Sequence, residues 1–222
     1  MRDAGTPARH VRRSRAVRRP PLLDRYAIAA LKPGLERAAR WIVRARIGAD
    51  AITWAGFGIG LAAALAIAQQ QFGVGLVLLL ASRLADGLDG AVARLTAPTD
   101  RGAFLDVALD FIFYASIPLA FAVADPAVNA LPAAVLLAAF VGTASGFLAF
   151  AVMAERRQLS RAAFPAKGLY YLGGLTEATE TLICFVLMCL WPRHFAWWAY
   201  GFAMACGVTI VTRLAAGWRT LR

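Results

Sequence analysis

Histidine and cysteine are scarce in this 222-residue chain, at two and three copies. Cys184, Cys189 and Cys206 lie inside apolar runs without CxxC spacing or a neighbouring His. This excludes a disulfide framework and a zinc site, and leaves the three as small apolar packing residues. His10 and His194 are isolated and carry no assignment. Acids are the minority charge: 13 Asp and Glu stand against 24 Lys and Arg, for a net charge of +11. The Arg-rich residues 1–21 contain no apolar run, so they do not form a secretory signal peptide. The expectation there is a disordered basic arm.

The remainder is dominated by apolar residues. They make up 60% of the chain, and mean hydropathy is positive despite the charge. Six apolar stretches approach the roughly 20 residues that cross a bilayer, near 49–69, 72–94, 103–124, 130–153, 169–190 and 196–216. The fold class expected is therefore all-α, an integral membrane bundle of six transmembrane helices spanning residues 48–222. Prolines 118, 126, 132, 165 and 192 mostly fall at ends of spans or in loops, where punctuation is their expected role. Residues 22–47 interleave apolar positions with Arg25, Lys32, Arg37, Arg40, Arg44 and Arg46. They predict an amphipathic interfacial helix, broken in two at Lys32-Pro33-Gly34, with its arginines on anionic headgroups. That lipid surface accounts for the arginines better than a nucleic-acid partner does.

Basic residues also sort by loop. They occur in the N-terminal arm, at Arg94 and Arg101, at Arg156, Arg157, Arg161 and Lys167, and at the C-terminus, whereas Gln69-Gln70-Gln71 and 125–129 have none. By the positive-inside rule both termini are cytoplasmic. Trp191, Trp197, Trp198 and Tyr200 then form an aromatic belt on the outer side.

Four carboxylates interrupt this apolar pattern. Asp86 and Asp89 are spaced i,i+3, and Asp106 and Asp110 i,i+4, so each pair shares one helix face. Acids inside membrane spans are expensive and mark functional sites by default. Two such faces brought together make a four-carboxylate cage, whose members stay ionised together when cations sit between them. Hard oxygen ligands without His or Cys point to Mg²⁺, Mn²⁺ or Ca²⁺. Four carboxylates suffice for two ions, whose usual partner is a phosphate ester or diphosphate. The intervening Gly87, Gly90, Ala91, Ala93 and Gly102 keep the wall free of side-chain bulk.

The string Asp86-x2-Asp89-Gly90-x2-Ala93-Arg94-x7-Gly102-x3-Asp106-x3-Asp110 resembles the signature of the CDP-alcohol phosphatidyltransferase family, integral membrane enzymes of phospholipid synthesis. All eight signature residues are present in order. Seven residues separate Arg94 from Gly102 where many members have eight, a change confined to the loop. The resemblance implies transfer of a substituted phosphate, phosphatidyl from CDP-diacylglycerol or the group of another CDP-alcohol, to an acceptor alcohol with release of CMP. It further implies two divalent ions, Mg²⁺ or Mn²⁺, on Asp86, Asp89, Asp106 and Asp110, with Asp110 also the general base. Asp86, Gly90, Ala93, Arg94 and Gly102 would meet the nucleotide. A homodimer is implied as well, and the loop charges place its active site on the cytoplasmic side of what is expected to be the bacterial inner membrane.

Beyond the signature, Ala49-Asp50-x2-Thr53 is similar to the Pro-Asn-x-x-Thr entry of many members. Thr53 is thus a candidate nucleotide contact, while Asp50 suits a helix N-cap. Arg83, one turn before Asp86, reads as a partner neutralising a buried carboxylate. Glu177 and Glu180 are two further acids in the fifth span, able to pair with Arg83 or Arg213 or to meet substrate. With Arg156, Arg157 and Lys167 they are the candidate acceptor-binding residues. A divalent-cation or proton-coupled transporter would also carry intramembrane acids, but no internal repeat is visible and the acids cluster at one membrane face.

Overall fold

The computed structural model describes residues 22–157 and 176–221. Among them are seven α-helices and no strand: α1 (Leu22–Arg44), α2 (Ala49–Ala68), α3 (Phe72–Leu95), α4 (Asp100–Ala124), α5 (Pro126–Arg156), α6 (Ala178–Leu190) and α7 (Phe195–Thr220). A 3-10 turn, Pro192–His194, leads into α7. The all-helical expectation holds. Four segments are long and apolar enough to cross a membrane: α2, α4, α5 and the run Pro192–Thr220. The other two expected spans fall short for different reasons. Arg83, Asp86, Asp89 and Arg94 dilute the apolarity of α3, and the 13 residues of α6 rise about 20 Å. The first part of the fifth expected span, 169–175, lies outside the described residues, as do the basic arm 1–21 and Lys167.

Two local expectations are corrected. Helix α1 runs without interruption through Pro33, which was expected to break it. A proline removes one i→i−4 bond and crowds one carbonyl, a cost of about 3 kcal/mol that packing of the following turns offsets. Beyond Pro33, Leu35, Ala39, Ile42 and Val43 pack with Ile52, Ala91 and Val92. Asp50 is not the cap of α2. Gly48 holds that position, and Asp50 sits in the first turn with its carboxylate turned to Arg101, Nε to Oδ2 3.0 Å.

Other boundaries follow from capping chemistry. Thr99 Oγ1 accepts from Gly102 N–H at 3.0 Å to start α4. Asp125 accepts from Val128 N–H, with Pro126 in the first position of α5. Only Thr96–Thr99 separate α3 from α4, so the two acid-bearing segments must meet at the same end of the bundle.

Helix α2 packs on α3 and α4, α4 on α5, and α5 on α7, while α3 touches α1 and α6. The half of the bundle away from the acids is filled by aromatics. Phe121 stacks on Phe195 at 4.6 Å and on Phe72 at 5.7 Å, with Ile67, Ile117, Leu136 and Met188 fully buried around them. The acid-bearing half is packed by small residues. A Cβ on Gly56 would lie 2.9 Å from Ala85 Cβ, and one on Gly60 2.6 Å from Phe113 Cδ2. Ser82 Oγ donates to the Gly56 carbonyl at 2.8 Å across this contact. Close approach of α2 and α3 is what brings Thr53 within reach of the acids.

Candidate active site

The two carboxylate pairs meet. Asp86, Asp106 and Asp110 each offer an oxygen, all within 4.8 Å of one another. Asp89 stands beside this trio and is turned to α2. Its Oδ2 accepts from Thr53 Oγ1 at 2.6 Å, and the residue is 6% exposed. Thr53, Phe57, Arg83 and all four aspartates line a single cleft. Thr53 is thereby tied to the cage, a contact that sequence spacing alone did not indicate.

Arg83 occupies one wall. Its Nη1 donates to Asp110 Oδ1 at 2.7 Å and lies 3.7 Å from Asp86 Oδ2. The guanidinium rests over Phe113, 4.0 Å from the ring centroid, with Tyr114 at 5.7 Å. The expected neutralising partner of Asp86 is therefore shared, and its shorter contact is to Asp110 on the next helix.

The remaining signature residues surround the cleft. Arg94 is exposed, and its Nη1 comes within 3.3 Å of where a Cβ on Gly90 would stand. Gly90 thus faces the exposed Arg94 guanidinium, the one group that a Cβ there would press. A Cβ on Gly102 would lie 3.1 Å from Thr99 Oγ1 and 3.2 Å from Asp50 Oδ1, so glycine there protects the helix cap and the Asp50–Arg101 pair. Ala93 is half-buried on α3.

The candidate acceptor residues are arranged differently. Arg156 and Arg157 are exposed where α5 ends. Glu177 caps α6, and Glu180 accepts from its N–H at 3.1 Å in a capping box. None of these four lines the aspartate cleft. The sequence reading missed the capping box, although Thr176-Glu177-x2-Glu180 ahead of an apolar run carries its spacing. It also missed the small-residue seam of Gly56, Gly60 and Ser82, for which Gly56-x3-Gly60 is the readable signal.

The sequence profile describing CDP-alcohol phosphatidyltransferases matches residues 46–211, three quarters of the chain. The chain belongs to this family. That makes it a member of a group of membrane transferases of phospholipid biosynthesis. As a CDP-alcohol phosphatidyltransferase it resembles Inner membrane protein YnjF of Escherichia coli (strain K12), with 46% identity over 201 residues, 90% of this chain and 98% of that protein. Its fold matches the phosphatidylinositol phosphate synthase PgsA1 of Mycobacterium tuberculosis with CDP-DAG bound. There the TM-score is 0.63 at 24% identity, over 83% of this chain and 93% of that one. The same synthase in complex with manganese and citrate matches with TM-score 0.63 and 24% identity, over 83% and 88% of the two chains.

The donor set suits a hard divalent cation. Three aspartate oxygens converge without thiolate or imidazole. The four carboxylates and one guanidinium lining the cleft (−4 + 1) leave a formal charge of −3, which a low-dielectric setting tolerates when a cation balances it.

Proposed function

We propose that this protein transfers a substituted phosphate, phosphatidyl from CDP-diacylglycerol, to an acceptor alcohol with release of CMP. The observation carrying this reading is the convergence of Asp86, Asp106 and Asp110, with Asp89 held beside them by Thr53. Asp86, Asp89, Asp106 and Asp110 would hold two divalent ions, Mg²⁺ or Mn²⁺. Bound divalent ions supply charge neutralisation to a diphosphate and to the departing nucleotide. Asp110 receives the proton of the acceptor hydroxyl as it attacks phosphorus. Thr53 and Arg94 orient the CDP moiety, which Gly90, Ala93 and Gly102 admit against the helices. Arg156, Arg157 and Lys167 are assigned to acceptor selection, while Glu177 and Glu180, which close the capping box of α6, are assigned to starting that helix.

In the same reading α3 and α6 complete a six-span domain over residues 48–222. Supporting this for α3, its Arg83, Asp86 and Asp89 face the cleft, while Val74, Val77, Leu80 and Leu84 form its exposed face. Residues 22–47 are the amphipathic interfacial helix: the apolar side of α1 meets α3, and Trp41 is exposed with the Arg44 guanidinium 5.6 Å from its ring. We place the protein in the bacterial inner membrane as a homodimer, with termini and active site cytoplasmic. The loop charges and the relative named as an inner membrane protein support this location.

The test is CMP release by purified protein given CDP-diacylglycerol, Mg²⁺ or Mn²⁺, and a panel of polyol, phosphopolyol and amino-alcohol acceptors, with an EDTA control. EDTA-sensitive CMP release with one acceptor is the expected result. Silence on that panel and on CDP-amino-alcohol donors with diacylglycerol would overturn the reading.

A further inference from the structure

Among the described residues, Arg83 is the one cation lining the cleft. It is fixed from two sides. Asp110 and Asp86 hold Nη1, while Phe113 and Tyr114 hold the guanidinium from the apolar side. Its side chain is 13% exposed, and its buried Nε has no hydrogen-bond partner among the described residues. Held from both sides in this way, the guanidinium keeps its charge beside the carboxylates. Phe113 is itself 1% exposed and wedged against Gly60, which makes the wall behind the guanidinium rigid.

We propose that Arg83 is a built-in counter-ion of the cage, standing in for part of the metal charge when no metal is bound and setting how tightly metal binds. In the metal-free protein it draws Asp86 and Asp110 together against their mutual repulsion. Once metal is present the same positive charge sits next to two of the ligands and opposes it. A group that stabilises the empty state relative to the loaded state lowers metal affinity by the corresponding factor. Arg83 also commits Oδ1 of Asp110, which leaves Oδ2 to meet a metal or an acceptor hydroxyl. This makes it a positioning residue for the base. The proposal rests on the cage being the metal site.

The experiment compares wild type with Arg83→Gln, Arg83→Met and Arg83→Lys, each purified with Mn²⁺ and then stripped with EDTA. Mn²⁺ affinity is read by electron paramagnetic resonance of the unbound ion, and unfolding temperature is measured with and without Mn²⁺. The two uncharged variants are expected to bind Mn²⁺ about tenfold more tightly, within the usual range of coupling between sites. They are also expected to melt lower when stripped and to gain more on adding metal. Arg83→Lys keeps the charge but not the planar fork, so its Mn²⁺ affinity stays near wild type while turnover falls. Either uncharged variant alone decides the question should the other fail to fold. Affinities equal to or weaker than wild type in the uncharged variants would overturn the inference and leave the cage reading standing. A wild type that binds no Mn²⁺ would remove the cage reading, and this inference with it.

Discussion

Gly60→Ala adds one methyl group outside the lining of the aspartate cleft, yet it should cost both stability and turnover. The new Cβ would stand 2.6 Å from Phe113 Cδ2, 2.9 Å from Cε2 and 2.9 Å from Ser82 Oγ. Carbon atoms in contact sit at about 3.5–4.0 Å, so the ring or the α2 backbone must retreat by about 1 Å. Phe113 is 1% exposed and has no empty space to enter. Overpacking of this kind costs about 1–3 kcal/mol. A mid-range value of about 2 kcal/mol lowers Tm by about 6 °C in a chain of this length. The ring carries Arg83 on its face at 4.0 Å, and Arg83 holds Asp110 at 2.7 Å, so the displacement is passed to Asp110, the proposed base. A misplacement near 1 Å costs on the order of a hundredfold in rate. Thermal melts in detergent and CMP-release rates should be measured on Gly60→Ala, Phe113→Leu and the double variant. The smaller Leu should relieve the clash, so the double variant melts higher than additivity predicts. Wild-type melting and turnover in Gly60→Ala would refute the reasoning, and so would strict additivity.

Three other outcomes follow from the geometry. Asp110→Asn should lower CMP release by about 10²–10⁴-fold while the folded protein retains much of its affinity for CDP, measured by equilibrium binding; full activity would remove Asp110 from the chemistry. Thr53→Val deletes a hydrogen bond to a nearly buried carboxylate, worth about 1.5–3 kcal/mol, and should lower Tm, whereas Thr53→Ser should restore it; equal melting of the two variants would show that the contact carries no energy. Glu180→Ala should cost about 1 kcal/mol through the lost capping box and leave the KM for acceptor unchanged. A raised acceptor KM at unchanged Tm would instead place Glu180 at the substrate.

The acid-bearing helices were legible because their signal is local. Asp86, Asp89, Asp106 and Asp110 are spaced by helix geometry within two turns each, and a four-residue connection leaves them little choice but to converge. The limits of α2 to α5 were legible for a similar reason, since apolar runs bounded by Gln69–Gln71, Thr96–Thr99 and Asp125 fix them within a few residues. What the sequence hid were relations between distant positions. That Arg83 reaches Asp110 more closely than its own helix neighbour Asp86 depends on the rotation of α3 against α4. That Asp50 serves Arg101 depends on α2 and α4 starting side by side, and local capping preference pointed the other way. Pro33 misled because its penalty, though real, is smaller than the gain from packing α1 along α3. The Glu177–Glu180 spacing was visible, but an acid in an apolar span was read as chemistry before it was read as a helix start.

The stacked rings of Phe72, Phe121 and Phe195 have a consequence for the membrane as an insulator. A cleft carrying net negative charge at one end of a bundle is half of a cation path, and a loosely packed remainder would complete it. Three stacked rings, backed by buried Ile67, Ile117 and Leu136, fill the described half of the bundle away from that cleft with apolar side chains. On the proposed reading, that apolar plug separates the charged cleft from the far side of the membrane.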